Sequence, residues 1–404
     1  MRKIKVPDGW DSVRLKEICN DDAPIMYGIL QPGPEIDGGV PYVRPSEIDN
    51  GTIKLNEVKY TSPGIALKYK RSTLKPGDLL ITIVGTLGKI AEVPDELDGA
   101  NITQSSARIR LNADIACKDY IRHYLRSNYA NQQYNWHRLG TGVPRLNIHH
   151  VRDLQIPLPP LSEQKRIADI LNKADAIHCK RQIVGNLTQD VPLAAFRETF
   201  AEFFEPKRID TVLIDTAEVV SGVAKGRKLN GEEIREVPYL RVANVQAGFL
   251  DLTEIKTILA KQSEVDAIAL QHGDVVLTEG GDHDKLGRGA LWEHDVPDCI
   301  HQNHVFRVRV DRKRLLPTFF VHFLQTDIAK TYFLRCAKKT TNLASINMTQ
   351  LRALPVPLPP LKLQKRFDQE FRTVTNVIER QANAEREADN LFNSLVQRAF
   401  KGEL

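Results

Sequence analysis

The sequence predicts an α+β protein written twice: two strand-rich units separated by two long antiparallel coiled-coil helices, related by a pseudo-two-fold internal repeat. Three observations predict it. Ile156-Pro157-Leu158-Pro159-Pro160-Leu161 returns as Val356-Pro357-Leu358-Pro359-Pro360-Leu361, at an offset of 200 residues, and each box runs into Gln-Lys-Arg at Gln164-Lys165-Arg166 and Gln364-Lys365-Arg366. After each box, apolar residues recur at alternating steps of three and four, the spacing of a helix with one sticky stripe. Before each box, short β-branched runs are punctuated by Gly and Pro, the pattern of short strands and turns. The chain therefore divides into a unit at 1–155, a helix region at 156–204, a second unit at 205–355 and a last helix region at 356–404.

In the first unit, strands are expected at 79–84 and 107–111, and a helix at 119–127. Pro32-Gly33-Pro34, Gly38-Gly39 and Pro76-Gly77 supply the turns. The first long helix is expected from Ser162, read as its N-cap, with Ile167, Ile170, Ala174, Ile177, Val184, Leu187 and Val191 as its seam. Gly185 weakens its middle and Pro192 interrupts it near the end. The second unit repeats the order, with strands at 274–278 and 305–310 and a helix at 317–328. The second long helix starts after Pro359-Pro360 and stops at Gly402, with a seam of Phe367, Phe371, Val374, Ile378, Ala388, Phe392, Leu395 and Ala399, broken by Gln381 and Glu385. Its forty or so residues span about 60 Å at ~1.5 Å each.

Both helices close on a similar word, Ala195-Phe196-Arg197 and Ala399-Phe400-Lys401, so the second is expected to be longer by about one turn. Two helices related by a two-fold duplication pack with opposite polarity. The repeat extends through the units. Asp11-Ser12-Val13 matches Asp210-Thr211-Val212, Tyr42-Val43-Arg44 matches Tyr239-Leu240-Arg241, and Gly77-Asp78-Leu79-Leu80 matches Gly273-Asp274-Val275-Val276. Ile102-Thr103-Gln104 is set against Ile300-His301-Gln302, and Arg152-Asp153-Leu154 against Arg352-Ala353-Leu354.

Composition narrows the class. Of 404 residues, 42% are hydrophobic and 26% charged, the balance of a soluble globular chain. The net charge of +5 permits a nucleic-acid partner without demanding one. Five widely spaced cysteines (Cys19, Cys117, Cys179, Cys299, Cys336) with no CxxC fit a reducing cytoplasm better than a disulfide framework. The N-terminus has no apolar signal core, and no run approaches the ~20 apolar residues of a membrane span.

The two boxes, their Gln-Lys-Arg helices and the closing Arg398-Ala399-Phe400-Lys401-Gly402-Glu403-Leu404 resemble the DNA specificity subunit of type I restriction-modification systems, over nearly the whole chain. One departure is Lys362-Leu363 where the first box has Ser162-Glu163. The resemblance implies a non-catalytic, sequence-specific DNA-recognition subunit. Its two strand-rich units are then target-recognition domains, each reading one half of a bipartite, asymmetric site, and its helices set the unread spacer. It implies two modification subunits that methylate adenine with S-adenosylmethionine, and restriction subunits that use ATP and Mg2+. No cofactor is expected on this chain itself. Adenine methylation needs the base flipped from the stack, a step that falls to the partner.

Double-stranded DNA needs Lys and Arg for phosphates, and Arg, Lys, Asn or Gln at groove depth for bases. Candidates are Lys68, Lys70 and Arg71 before a Pro-Gly turn, and Lys89 at the end of the glycine loop Gly85-Thr86-Leu87-Gly88-Lys89. Arg138 and Arg145 flank a flexible basic loop before the first box, and Lys338, Lys339 and Asn342 form its counterpart. Lys225, Arg227, Lys228, Lys285 and Arg288 complete the second half. Any one of these clusters also has the composition of a solvated face. Arg307, Arg309, Arg312, Lys313 and Arg314 read as an outer sheet face without a ligand.

Other chemistry finds no support. The glycine loop has Ile83 and Ile90 where a phosphate loop needs Gly and Ser/Thr. No Asn/Asp-Pro-Pro-aromatic motif is present for adenine methyl transfer. Cys299, His301 and His304, with Asp282, His283 and His294 nearby, match no zinc spacing, so no metal site is expected. His149-His150 reads as a loop-to-helix edge. The competing readings are a fused or stand-alone endonuclease or methyltransferase, and a protein-binding scaffold without a DNA role.

Overall fold

The computed structural model describes residues 6–49, 51–140, 142–188, 190–229, 233–281, 286–294, 296–339 and 344–404. The chain forms two compact units, one from residues 1–184 with 382–404 and one from 185–381. Each unit therefore holds one strand-rich part, the start of the helix that follows it, and the end of the other long helix.

The strand orders show the duplication directly. In the first unit, Met26–Tyr27, Ser106–Ile109, Leu79–Thr82 and Ile90–Glu92 make an antiparallel four-stranded sheet in that order. In the second, Ala217–Ser221, Val305–Val310, Val275–Thr278 and Gly289–Leu291 do the same. A three-stranded mixed sheet accompanies each: Lys59–Thr61, Val40–Val43 and Asn101–Ile102 in one, Lys256–Lys261, Ile234–Leu240 and Ile300–His301 in the other. Runs such as Leu79–Thr82 and Val275–Thr278 are buried on both faces, which is why they read as continuous apolar words.

The register of the repeat differs by one residue from the expectation at 102–104. Tyr42 pairs with Asn101 and Val43 with Ile102, whereas Tyr239 pairs with Ile300 and Leu240 with His301. Ile102 thus corresponds to His301, and Gln104 to Asn303. A close backbone approach marks the same point. A Cβ at Gly28 would lie 1.8 Å from the Ile102 carbonyl oxygen, and one at Gly222 would lie 1.8 Å from that of His301.

The recurring Gln of each box has a mechanical role. Gln164 is buried; its Oε1 accepts from the Cys117 N–H (2.8 Å), and its Nε2 donates to Ile115 O (3.1 Å) and Pro159 O (2.9 Å). Gln364 repeats the set with Leu316 N–H (2.8 Å), Arg314 O (3.0 Å) and Pro359 O (2.8 Å). One amide satisfies three buried backbone groups and ties the box to the loop before the helices Lys118–Arg126 and Pro317–Phe323. The sheet arginines are equally structural. Arg110 clasps Asp78 and Arg309 clasps Asp274, each at 2.7 Å, and Arg307, 2% exposed, reaches Glu218 at 2.9 Å.

The helices correct three expectations. The first begins at Leu161, so Ser162 lies within its first turn, and Pro160 O accepts the opening bonds from Glu163 and Gln164. Pro360 does the same for Leu363 and Gln364, so the missing Ser in the second box has no consequence. The first run comprises Leu161–Thr188 and Val191–Phe200, with Pro192 in the first turn of the second segment, as its ring requires. It ends at Phe200 as the second, Leu361–Phe400, ends at Phe400, so no extra turn distinguishes them. Phe200 meets Phe319 edge-on at 4.8 Å, and Phe400 meets Tyr120 at 5.5 Å.

The third correction concerns the seam. Ile167, Phe367 and Ala399 are buried as expected, but Ile177 (55%) and Leu187 (71%) are exposed. In the first unit, the start of the first helix runs antiparallel to the end of the second: Arg166 donates to Leu404 O (2.6 Å), and His178 pairs with Asp389 (2.7 Å). Beyond Leu171 the inward positions are polar, with Asp175 held by Arg126 (2.9 Å) and His178 stacked on Phe392. Ion pairs replace the apolar stripe there, and counting apolar residues alone follows the wrong face.

Candidate nucleic-acid interface

In the first unit, four segments distant in sequence meet beyond the end of the strand Leu79–Thr82. The glycine loop follows that strand. Ile83 N–H donates to Ser105 O (2.8 Å), Leu146 N–H to Ile83 O (2.8 Å), and Gly85 N–H to Pro144 O (2.9 Å). Leu139 and Arg145 exchange two backbone bonds at 3.0 Å. Gln104 N–H donates to Ile29 O (2.8 Å), which brings in the strand Met26–Tyr27 and the turn after it. Gly88 holds the glycine loop down, since a Cβ there would meet the Tyr134 ring at 2.4 Å; Gly287 stands equally close to Phe333.

These segments enclose an open cleft of about 400 Å³, lined by Tyr27, Leu30, Gln104, Ser105, Arg145 and His149 among others. Tyr27 (39%) and Leu30 (50%) are unusually exposed for their size. Among the described residues, the side chains of Gln104, Ser105 and Arg145 have no protein partner. Buried polar side chains of the frame, such as Gln164 and Asp78, are paired. A concave surface with exposed rings and unspent donors is suited to a polar, planar ligand edge.

The second unit builds the same junction with other side chains. Glu279 N–H donates to His304 O (2.9 Å), Ile346 N–H to Glu279 O (2.9 Å), and Gly280 pairs with Ser345. Glu279 thus stands where Ile83 stands, His304 where Ser105 stands, and Ser345 where Arg145 stands. His304 Nδ1 lies 2.5 Å from the Glu279 carboxylate.

The candidates from sequence fall into three groups. Lys68 ends the helix Pro63–Lys68, Lys70 and Arg71 form the turn Lys70–Ser72 beside Met26–Tyr27, and all three are exposed. Arg138, Arg145, Lys225, Lys228 and Lys338 are exposed as well. Three others are engaged within the protein. Lys89 donates to Ile48 O (3.1 Å), and Arg288, at the matching position, donates to Gln246 (2.9 Å). Arg227 grips Glu264 through two bonds of 2.6 and 2.5 Å, holding that carboxyl below its usual range. Lys285 and Asn342 lie outside the described residues, as does the side chain of Lys339. Among the described members of the set, only Arg145 lines the cleft. Tyr27, Leu30, Gln104 and Ser105 of the cleft, and Glu279 and His304 at the matching junction, carry no sequence signal of a binding surface; Gln104 enters the sequence reading only as a landmark of the repeat.

Cys299, His301 and His304 diverge. Burial pushes the Cys299 thiol up to about 12 and the His301 imidazole down to about 4, while His304 faces Glu279. Among the described residues, Asp175, His178 and Cys179 gather potential metal-ligand atoms within 4.8 Å, but Arg126 and Asp389 already pair with the first two. No helix among the described residues is long and apolar enough to cross a membrane.

A family model described as the type I restriction modification DNA specificity domain matches residues 7–188 and 215–387. The chain is similar to the type I restriction enzyme EcoBI specificity subunit of Escherichia coli, 31% identical over 205 residues, which is 48% of this chain and 43% of that protein. It is 23% identical to the EcoKI specificity subunit of Escherichia coli strain K12 over 429 aligned positions, 99% of this chain and 90% of that one. Among solved structures, the S subunit from M. genitalium matches 98% of both chains at 12% identity with a TM-score of 0.54. A chain from a study of type I restriction-modification complex assembly and conformational transition matches over 100% of both chains, at 21% identity and a TM-score of 0.59.

Proposed function

Because the chain belongs to the type I restriction-modification DNA specificity family, we propose that it reads a bipartite, asymmetric DNA site and places two modification subunits on it. It is a non-catalytic DNA-recognition subunit of a type I restriction-modification system, working in a complex with other subunits of that system and with DNA. One observation carries the finer reading. The same hydrogen-bonded frame occurs twice, and the two copies carry unlike side chains at the junction: among the described residues the side chains of Ser105 and Arg145 have no protein partner in one, while Glu279 and His304 pair with each other in the other. A duplicated frame with unlike reading positions suits two unlike half-sites.

Residues 1–155 and 205–355 are the target-recognition domains in this reading, and 156–204 and 356–404 the spacer helix regions. The exposed Lys68, Lys70, Arg71, Arg138, Lys225, Lys228 and Lys338 meet phosphates, while Arg227 holds the loop that carries Lys225 and Lys228, and Lys89 and Arg288 brace their own loops against Ile48 and Gln246. S-adenosylmethionine, ATP and Mg2+ belong to the partner subunits. The test is methylome sequencing of cells with and without this chain. A two-part adenine motif that vanishes on deletion is the expected result. An unchanged methylome, or methylation by the purified chain alone, refutes the reading.

A further inference from the structure

We infer that Arg145 and Gln104 are the base-reading pair of the first unit, with Arg145 taking a guanine and Gln104 an adenine. The inference rests on the DNA-recognition reading above and assigns chemistry within it.

Both residues line the same 400 Å³ cleft, and both have exposed side chains on anchored backbone. Arg145 is bridged on one side to Val84 and on the other to Leu139. It is preceded by Pro144, whose ring fixes φ, and followed by the buried Leu146. Gln104 is tied through its N–H to Ile29 O, and its neighbour Ser105 through its carbonyl to Ile83. Rigid attachment limits the entropy lost when a side chain docks, which favours specific over merely electrostatic contact.

The side-chain chemistry then narrows the ligand. A guanidinium offers a planar fork of donors that matches O6 and N7 of guanine, and a carboxamide offers the donor and acceptor that match N7 and N6 of adenine. Neither side chain has a partner among the described residues. Arg227 and Arg110, by contrast, are already forked onto carboxylates. Tyr27 and Leu30 give the same cleft an apolar wall, which can meet a thymine methyl on the paired strand. The second unit has Asn303 and Ser345 at the matching positions, so this arginine contact has no counterpart at that point of the second frame.

The test is methylation of a randomised duplex pool by the complex reconstituted with its modification subunits, read by sequencing the modified products. Arg145→Ala is expected to lower the preference for guanine at one position of one half-site by about ten- to a hundredfold. Gln104→Ala is expected to do the same for an adenine in that half-site. The other half-site and the spacer stay as in the wild type, which also shows that the variant is folded. Arg145→Gln keeps a forked polar group and is expected to move the preference at that position from guanine toward adenine. Unchanged preferences overturn the inference. So does a uniform fall across all sequences with a shallower salt dependence, which is the mark of a phosphate contact. A wild-type complex that yields no two-part motif would instead remove the DNA-recognition reading on which the inference stands.

Discussion

The two units share a skeleton and differ in what it displays. Asp78–Arg110 and Asp274–Arg309 are the same ion pair, and Gln164 and Gln364 the same clamp; Arg152 reaches the Ile25 carbonyl just before the strand Met26–Tyr27, and Arg352 the Val219 carbonyl within the strand Ala217–Ser221. Ile83, Ser105 and Arg145 face Glu279, His304 and Ser345 in the comparison of the junctions. Where buried polar groups must be satisfied, substitution is costly and the copies stay alike. At the junction the frame is held by backbone bonds that any side chain can accompany: the side chains of Ser105 and Arg145 have no protein partner among the described residues, Glu279 and His304 pair with each other, and the copies diverge there.

The strongest way to break the comparison is to remove the shared part. Gln164→Ala strands the Cys117 N–H and the Ile115 and Pro159 carbonyls, and Gln364→Ala strands their counterparts. Each buried group left without a partner costs about 1–3 kcal/mol, so either substitution is expected to cost roughly 3–5 kcal/mol. Chemical denaturation of the full chain checks this. A loss below ~1 kcal/mol in both variants would mean that the clamp is ornamental. Losses of very different size would mean that the two frames are not equivalent.

That clamp also explains what the sequence made legible. The proline box and its Gln are readable because one buried amide serves three backbone groups, and few other side chains can. The cleft was not readable, because it is assembled from segments near 27, 83, 104 and 145 that share no local pattern. The one-residue slip at 102–104 had a similar cause. Ile102 and Ile300 are the same residue type one position out of register, whereas strand pairing sets Ile102 against His301. The seam of the first helix misled because Asp175 and His178 face inward there, and polar residues at inward positions erase the apolar count.

The exchange of Ile102 for His301 sharpens the comparison by pH. Burial holds the His301 imidazole neutral, with its pKa brought down from 6.5 to about 4. The unfolded chain binds that proton near pH 6.5. Its contribution is therefore fully present above pH 6.5 and is lost as pH falls from there toward 4, by about 3 kcal/mol in all. His123 and His322 are both lowered by burial at matching positions, so they do not separate the units. His301→Ile is expected to flatten the fall in stability between pH 6.5 and 4.5, measured by denaturation at each pH. An unaltered slope would show that the buried imidazole does not govern it.

A smaller effect is expected at the second junction. Glu279 can accept from a base amino group, and His304 beside it holds the carboxylate in place. Glu279→Ala in the reconstituted complex is expected to relax one position of the second half-site by about tenfold, or roughly 1–3 kcal/mol at most. The first half-site should keep its preferences. Relaxation of both half-sites together would show that the junctions do not read independently.

The smallest expected effect separates free charges from engaged ones. Lys225 is exposed on its loop, while Arg227, two residues on, is committed to Glu264 and to the Ala224 carbonyl. If Lys225 meets a phosphate, Lys225→Ala removes one counterion-releasing contact. The slope of log affinity against log salt should then become shallower by about 0.9, with an equal loss on every sequence. Arg227→Ala instead frees the loop from the helix Gln262–Ile268 and should lower its local stability, with little change in that slope. Salt titrations of DNA binding by the assembled complex distinguish the two. A slope that moves with Arg227 and not with Lys225 would reverse the assignment, because only a charge without a protein partner can exchange counterions for DNA at no internal loss.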